Sequence, residues 1–166
     1  ETAVPELGLQ KLVSVAKLET KVAGKVTVEA KGYFRDAASG ILNGGDFPPK
    51  VNQATQFTIH WILRNYASDV DGARLTANLP PGVKWTGKIK GGGGADPSFD
   101  QETSQVVWML DKVAATRGII SEPVEVIFQV EVIPGGGQVG QILDLLGETK
   151  LAAHDTFADV TLLASD

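Results

Sequence analysis

Between Val124 and Val132 every second residue is apolar, Val124, Val126, Phe128, Val130 and Val132, with Glu125, Gln129 and Glu131 set between them. Strand side chains alternate between two faces, whereas a helix repeats every 3.6 residues, so this run specifies an extended segment with one buried and one wetter face. Pro134-Gly135-Gly136-Gly137 closes it. A second stretch reads the same way: Phe57, Ile59, Trp61 and Leu63 point in one direction, while Thr58, His60 and Arg64 point in the other. Turn residues from Asn65 to Gly72 follow, Arg74 to Leu79 alternates again, and Pro80-Pro81-Gly82 stops the pairing because proline has no ladder donor.

The rest of the chain repeats this vocabulary. Val26, Val28 and Ala30 alternate with Lys25, Thr27, Glu29 and Lys31, with Gly32 marking a bulge or a close approach. Val83 and Trp85 form a further strand, as do Val106, Trp108 and Leu110. Glu148 to Asp155 and Val160 to Leu163 close the domain as a hairpin across Phe157-Ala158-Asp159. Asp36 to Lys50 reads as a loop, and Gly91-Gly92-Gly93-Gly94 as a mobile surface loop that side-chain packing cannot hold. Ile142-Leu143-Leu145-Leu146 fits either one helical turn or an irregular crossover. Seven or more strands at turn spacing predict an all-β, immunoglobulin-like antiparallel sandwich over 25–166. Residues 1–24 fit neither period cleanly, so strand and helix both stay open there, and the β context favours the strand, an N-terminal extension or a joining or donor strand.

Composition narrows the function. The 166 residues contain no cysteine, which removes disulfides and thiolate metal sites, and the net charge of −5 with scattered basic residues lacks the footprint of a nucleic-acid binder. No apolar run approaches the ~20 residues that span a bilayer. The start at Glu1 carries neither an initiator Met nor a signal h-region, so the expectation is a mature or excised form without membrane insertion.

The run Val51-Asn52-Gln53-Ala54-Thr55-Gln56-Phe57-Thr58-Ile59-His60-Trp61, Asn65 in its turn, and Leu75-Thr76-Ala77-Asn78-Leu79-Pro80-Pro81-Gly82-Val83-Lys84-Trp85 resemble an immunoglobulin-like repeat domain of large secreted and surface proteins of bacteria and archaea. Gln105 to Trp108, Glu125 to Val130 and Leu151 to Phe157 look like its later strands. The likeness runs from about Phe47 to the C-terminus. It implies an extracellular scaffold used in tandem in surface layers, adhesins or stalks, with no catalytic residue to carry over.

Stretches that suggest chemistry have plain structural readings beside them. Gly82 to Ile89 comes close to a phosphate loop, but Ile89 stands where a hydroxyl must hold Mg²⁺, and the setting is a strand. Asp69 and Asp71 flank a tight turn, and Asp96, Asp100 and Glu102 cluster after the glycine run. Both are weak Ca²⁺ candidates and are read first as a turn and a solvated face. His60 and His154 would bind a metal only if they met with a carboxylate. Lys31 and Asp155 are the nearest candidates for an intramolecular isopeptide bond, and are also ordinary strand residues. Trp61, Trp85 and Trp108 have the inward phase of core residues rather than of a carbohydrate platform.

The sequence therefore predicts a non-enzymatic extracellular module without a cofactor, a spacer or assembly unit of a surface protein or filament. Its expected partners are flanking domains or neighbouring copies, met through Leu7, Leu9, Leu12, Val13, Val15 and Leu18. The alternative is an adhesin whose glycine loop and acidic segment meet a ligand.

Overall fold

The computed structural model describes residues 15–166. The alternating segments become nine strands among the described residues: β1 (Val26–Tyr33), β2 (Thr55–Asn65), β3 (Val70–Asn78), β4 (Val83–Gly91), β5 (Ser98–Asp100), β6 (Gln105–Val113), β7 (Val124–Val132), β8 (Lys150–Asp155) and β9 (Val160–Ser165). They build two antiparallel sheets, ordered β1-β2-β7-β4 and β5-β6-β3-β8-β9. The predicted sandwich is the one observed. Within 139–149, the crossover is irregular, preceded by one 3-10 turn at Gly136–Gln138.

Register explains why the alternation works. β2 lies between β1 and β7, pairing Trp61 with Ala30 on one side and Val126 on the other, so the inward sets of three strands meet in one layer. The facing sheet supplies Leu75, Val106, Trp108, Leu110 and Leu151, all buried. Trp61, Trp108 and Phe128 are the largest buried side chains, and Phe128 meets Trp61 edge-on at 5.0 Å between ring centres. Each buried indole has a partner for its N–H: Trp61 donates to Thr149 Oγ1 at 3.2 Å and Trp108 to the Ala95 carbonyl at 2.9 Å. Trp85 is only half-buried, stacked on Phe99.

The described part of the N-terminal extension, 15–24, forms no strand within this chain, and its Gly24 amide is held by Asp155. One sequence expectation changes here. The glycine-rich run is not free of packing. Gly91 belongs to β4, the Gly92 amide donates to the Glu125 carbonyl at 2.8 Å, and the Trp108 indole holds the loop beyond it at Ala95. The backbone and a core side chain supply what glycine cannot.

The strands also define two ends. Val26, Asn65, Val70, Val113, Val124 and Val160 mark a lower end; Tyr33, Thr55, Asn78, Val83 and Val132 mark an upper one. Gly24 sits at the lower end, where its amide donates to Asp155, the last residue of β8 and the partner of Val160. β9 then rises from Val160 to Ser165. Gly24 and Asp166 are thus offset by about 20 Å along the strand direction, six residues at ~3.3 Å each.

Candidate functional site

The outer face of the four-stranded sheet carries a feature that no period announces. Residues 36–46 form a strap across all four strands. Asn43 donates to the Tyr33 and Phe34 carbonyls of the β1 end, Gln56 of β2 donates its amide to the Gly44 carbonyl, and Lys90 of β4 reaches the Ala38 carbonyl. From β7, Gln129 donates to the Leu42 carbonyl at 3.0 Å and to Asn43 Oδ1 at 2.8 Å, and accepts from Thr86 at 3.1 Å. Its outward phase predicts a wet side chain; under the strap it is fully buried, and every polar atom has a partner. Gly45 lets the strap turn back into β2: its φ is +97°, and a Cβ there would lie 2.4 Å from the Ala54 carbonyl oxygen.

Beneath the strap lies the one histidine with structure around it. His60 Nε2 is 2.7 Å from Asp36 Oδ2, and Nδ1 is 2.7 Å from Glu125 Oε1, while Tyr33 meets the ring edge-on. Both ring nitrogens face acceptors, which is ion-pair geometry rather than that of a metal ligand with a lone pair aimed at an open position. Burial alone would raise the Asp36 carboxyl, but hydrogen bonds from His60, Thr58 and Ser39 outweigh it and hold the group at about 2. The cluster fastens the strap to β2 and β7. His154 stands apart on β8, half-exposed beside Asp159 at 3.4 Å, so the two imidazoles do not meet.

The other candidate residues are dispersed. Asp69 pairs with Lys112 at 2.7 Å and accepts from the Ala115 amide, bonds that lower its carboxyl; Asp71 is exposed on β3. Asp96 is exposed in the loop before β5. Asp100 closes its own turn through Thr103 and Glu102, which lower it too. Among the described residues no three His, Asp or Glu side chains gather as a metal site would require. Gly82 to Ile89 lies within and just before β4, with no helix to receive a phosphate. Lys31 pairs with Glu29 at 2.7 Å near the upper end of β1. Asp155 lies at the lower end, fully buried, accepting from the amides of Gly24 at 2.7 Å, Phe157 at 2.9 Å and Ala158 at 3.0 Å. The Gly24 and Ala158 amides lead in holding its carboxyl far below the usual range. Lys31 and Asp155 do not meet.

What the fold does gather is apolar surface at its two ends. At the upper end Phe34, Phe47 and Phe57 pack together, Phe34 stacked on Phe47 at 5.0 Å, and Phe47 and Phe57 with Val51, Pro134 and Leu143 line a groove of about 720 Å³. Phe47 is two-thirds exposed, and Ile142 on the rim is 94% exposed. A shallower cleft of about 430 Å³ continues from Leu143 and Leu145 past Gly32 to Asp166 along the open edge of β1. At the lower end Tyr66, Ile119, Ile120 and Phe157 are exposed. Of the predicted assembly residues, Leu7, Leu9, Leu12 and Val13 lie outside the described residues. Val15 and Leu18 are 86% and 91% exposed, on the segment that reaches Gly24 past Phe157, where Lys21 lies over the ring. The groove was not read from the sequence, because its walls come from two loops without a period. The exposed Ile142 in an apolar cluster was the only signal.

No family model matches the chain, and no curated protein matches it in sequence. Among solved structures it is similar to the major pilin subunit BcpA of Bacillus cereus, with 14% identity over 85% of this chain and 38% of that one at a TM-score of 0.42, and to a variant of that subunit with 16% identity and a TM-score of 0.43. It is also similar to the full-length major pilin SpaD of Corynebacterium diphtheriae, with 11% identity over 83% of this chain and 34% of that one at a TM-score of 0.44. The chain spans little more than a third of those subunits.

Proposed function

We propose that the chain is a non-enzymatic, extracellular structural module of a surface protein or filament, set in series with neighbours that meet its two ends. The observation that carries this reading is the placement of exposed apolar side chains. Phe47, Val51, Val139 and Ile142 stand at the upper end and Tyr66, Ile119, Ile120 and Phe157 at the lower, whereas the flanks are polar but for isolated residues such as Met109 and Leu163. Single exposed apolar residues are ordinary on a protein surface, but patches at opposite ends are where contacts belong. Gly24 and Asp166 lie at those opposite ends, so a module linked through them holds its neighbours apart by the length of its strands.

Support also comes from how the polar groups are used. The His60, Asp36 and Glu125 cluster, the Asp155 carboxylate and Gln129 are consumed in fastening loops to sheets, and each has its partners within the fold. The test is a dilution series of amide spectra of the whole chain. Concentration-dependent shifts confined to residues near 47–51, 134–145, 66, 119–120 and 157 are expected; shifts centred on the outer faces, at Lys112 or Lys150, would refute the end-to-end arrangement.

A further inference from the structure

Resting on that end-to-end reading, we propose that the upper groove receives the apolar N-terminal segment, residues 7–18, of a second copy of this chain. The groove between the 47–57 and 134–145 stretches is open and lined by Phe47, Val51, Phe57, Pro134, Leu143 and Leu145. Its volume of about 720 Å³ falls within the ~300–1,000 Å³ that enclose a small ligand or a few side chains. The segment is built to fill such a space and not to remain in water. Leu7, Leu9, Val13 and Val15 fall on one side of an extended chain, and Leu12 and Leu18 add to the apolar content. Its described part, from Val15 onward, has no apolar cover of its own.

Direction selects the copy. The Gly24 amide is fixed on Asp155 and Lys21 lies over Phe157, so the described stretch that leads back toward residue 18 passes the lower end of the sandwich, the end opposite the groove of the same chain. A neighbour stacked below presents its upper groove there. The cleft that prolongs the groove follows the open edge of β1. The outward amide of Ala30 on that edge is already taken by Asp166 Oδ2 at 2.6 Å, while Gly32, two residues on and of the same phase, faces the mouth of the cleft. An extended segment therefore has a backbone edge beside it as well as an apolar floor. Because donor and acceptor are different surfaces, the contact is heterologous and repeats head to tail from copy to copy, as the subunits of a filament do.

The experiment uses the full chain and two double variants in sedimentation velocity over a range of concentrations. Leu9→Glu with Leu12→Glu removes the donor; Val139→Glu with Ile142→Glu blocks the acceptor at exposed positions, and unfolding midpoints matching the parent establish that each variant is folded. The parent chain is expected to form a ladder of oligomers, and each variant to shift the half-association concentration upward by tenfold or more, the loss of one buried leucine contact being enough. Mixing the two variants restores association but stops it at 1:1 pairs, since one retains only an acceptor and the other only a donor. A donor variant that associates like the parent overturns the inference while leaving the end-to-end reading intact, because the ends then meet through their patches. A parent chain that stays monomeric, with residues 7–18 protected in its own groove, overturns it as well.

Discussion

Asp36 is the joint on which the strap turns, and acid is the perturbation that loosens it. The folded protein holds this carboxyl at about 2 against an ordinary 3.8, and the side chain is only 7% exposed, so solvent screens little of the difference. A carboxylate whose folded pKa is depressed stabilises the fold above the unfolded pKa, and the contribution disappears as pH falls through the folded value. The gap corresponds to about 2 kcal/mol. Nearly all of it is present at pH 5, roughly half at pH 3, and only a few tenths of a kcal/mol at pH 2. Replacing Asp36 by Asn keeps the shape and removes the titration. Urea unfolding of both proteins across pH 2 to 5 should therefore give a stability difference that is largest at pH 5 and shrinks toward zero at pH 2. A difference that stays constant with pH would show the opposite, a carboxylate stabilising through shape and not through its charge.

Further outcomes follow from the same contacts. Gln129→Ala strands the Leu42 carbonyl and Asn43 Oδ1, while the Thr86 hydroxyl keeps the backbone carbonyl of residue 129, and should cost about 2–4 kcal/mol in urea unfolding, with faster hydrogen exchange across the strap. Gly45→Ala forces a Cβ against the Ala54 carbonyl and should cost at least about 3 kcal/mol. By contrast Gly72→Ala, at φ +59° with open space around it, should cost only about 1 kcal/mol. Asp155→Asn should lower the melting temperature and raise the exchange rate of the Gly24 amide, since the carboxylate that accepts it is gone; an unchanged Gly24 rate would mean the N-terminal segment is anchored elsewhere.

The sandwich was readable because burial imposes period two on strands long enough to show it. Val124 to Val132 and Phe57 to Leu63 display that period over most of their length, and they are the central strands β7 and β2. β5 escaped because three residues after a glycine run are too short for alternation to register. The strap was visible only as a loop. Its meaning depends on Asp36 meeting a histidine 24 residues away and on that histidine meeting Glu125 another 65 residues on, separations that leave no local trace. Gln129 shows the limit most clearly. Phase placed its side chain outside the sandwich correctly, yet nothing in its neighbourhood announces that a loop folds over it. The end groove was hidden for the same reason, being assembled from Phe47 and Ile142 on separate connections.

A spacer module must hold Gly24 and Asp166 rigidly apart. Pulling on single molecules through residues 24 and 166 tests it most directly, because β1 and β9 leave opposite ends and the load shears the eight paired residues of β1 and β2 together instead of peeling them in turn. One cooperative rupture is expected, releasing about 50 nm of chain, roughly 140 residues at ~3.5 Å each. Stepwise extension beginning with β1 or β9 at low force would contradict it.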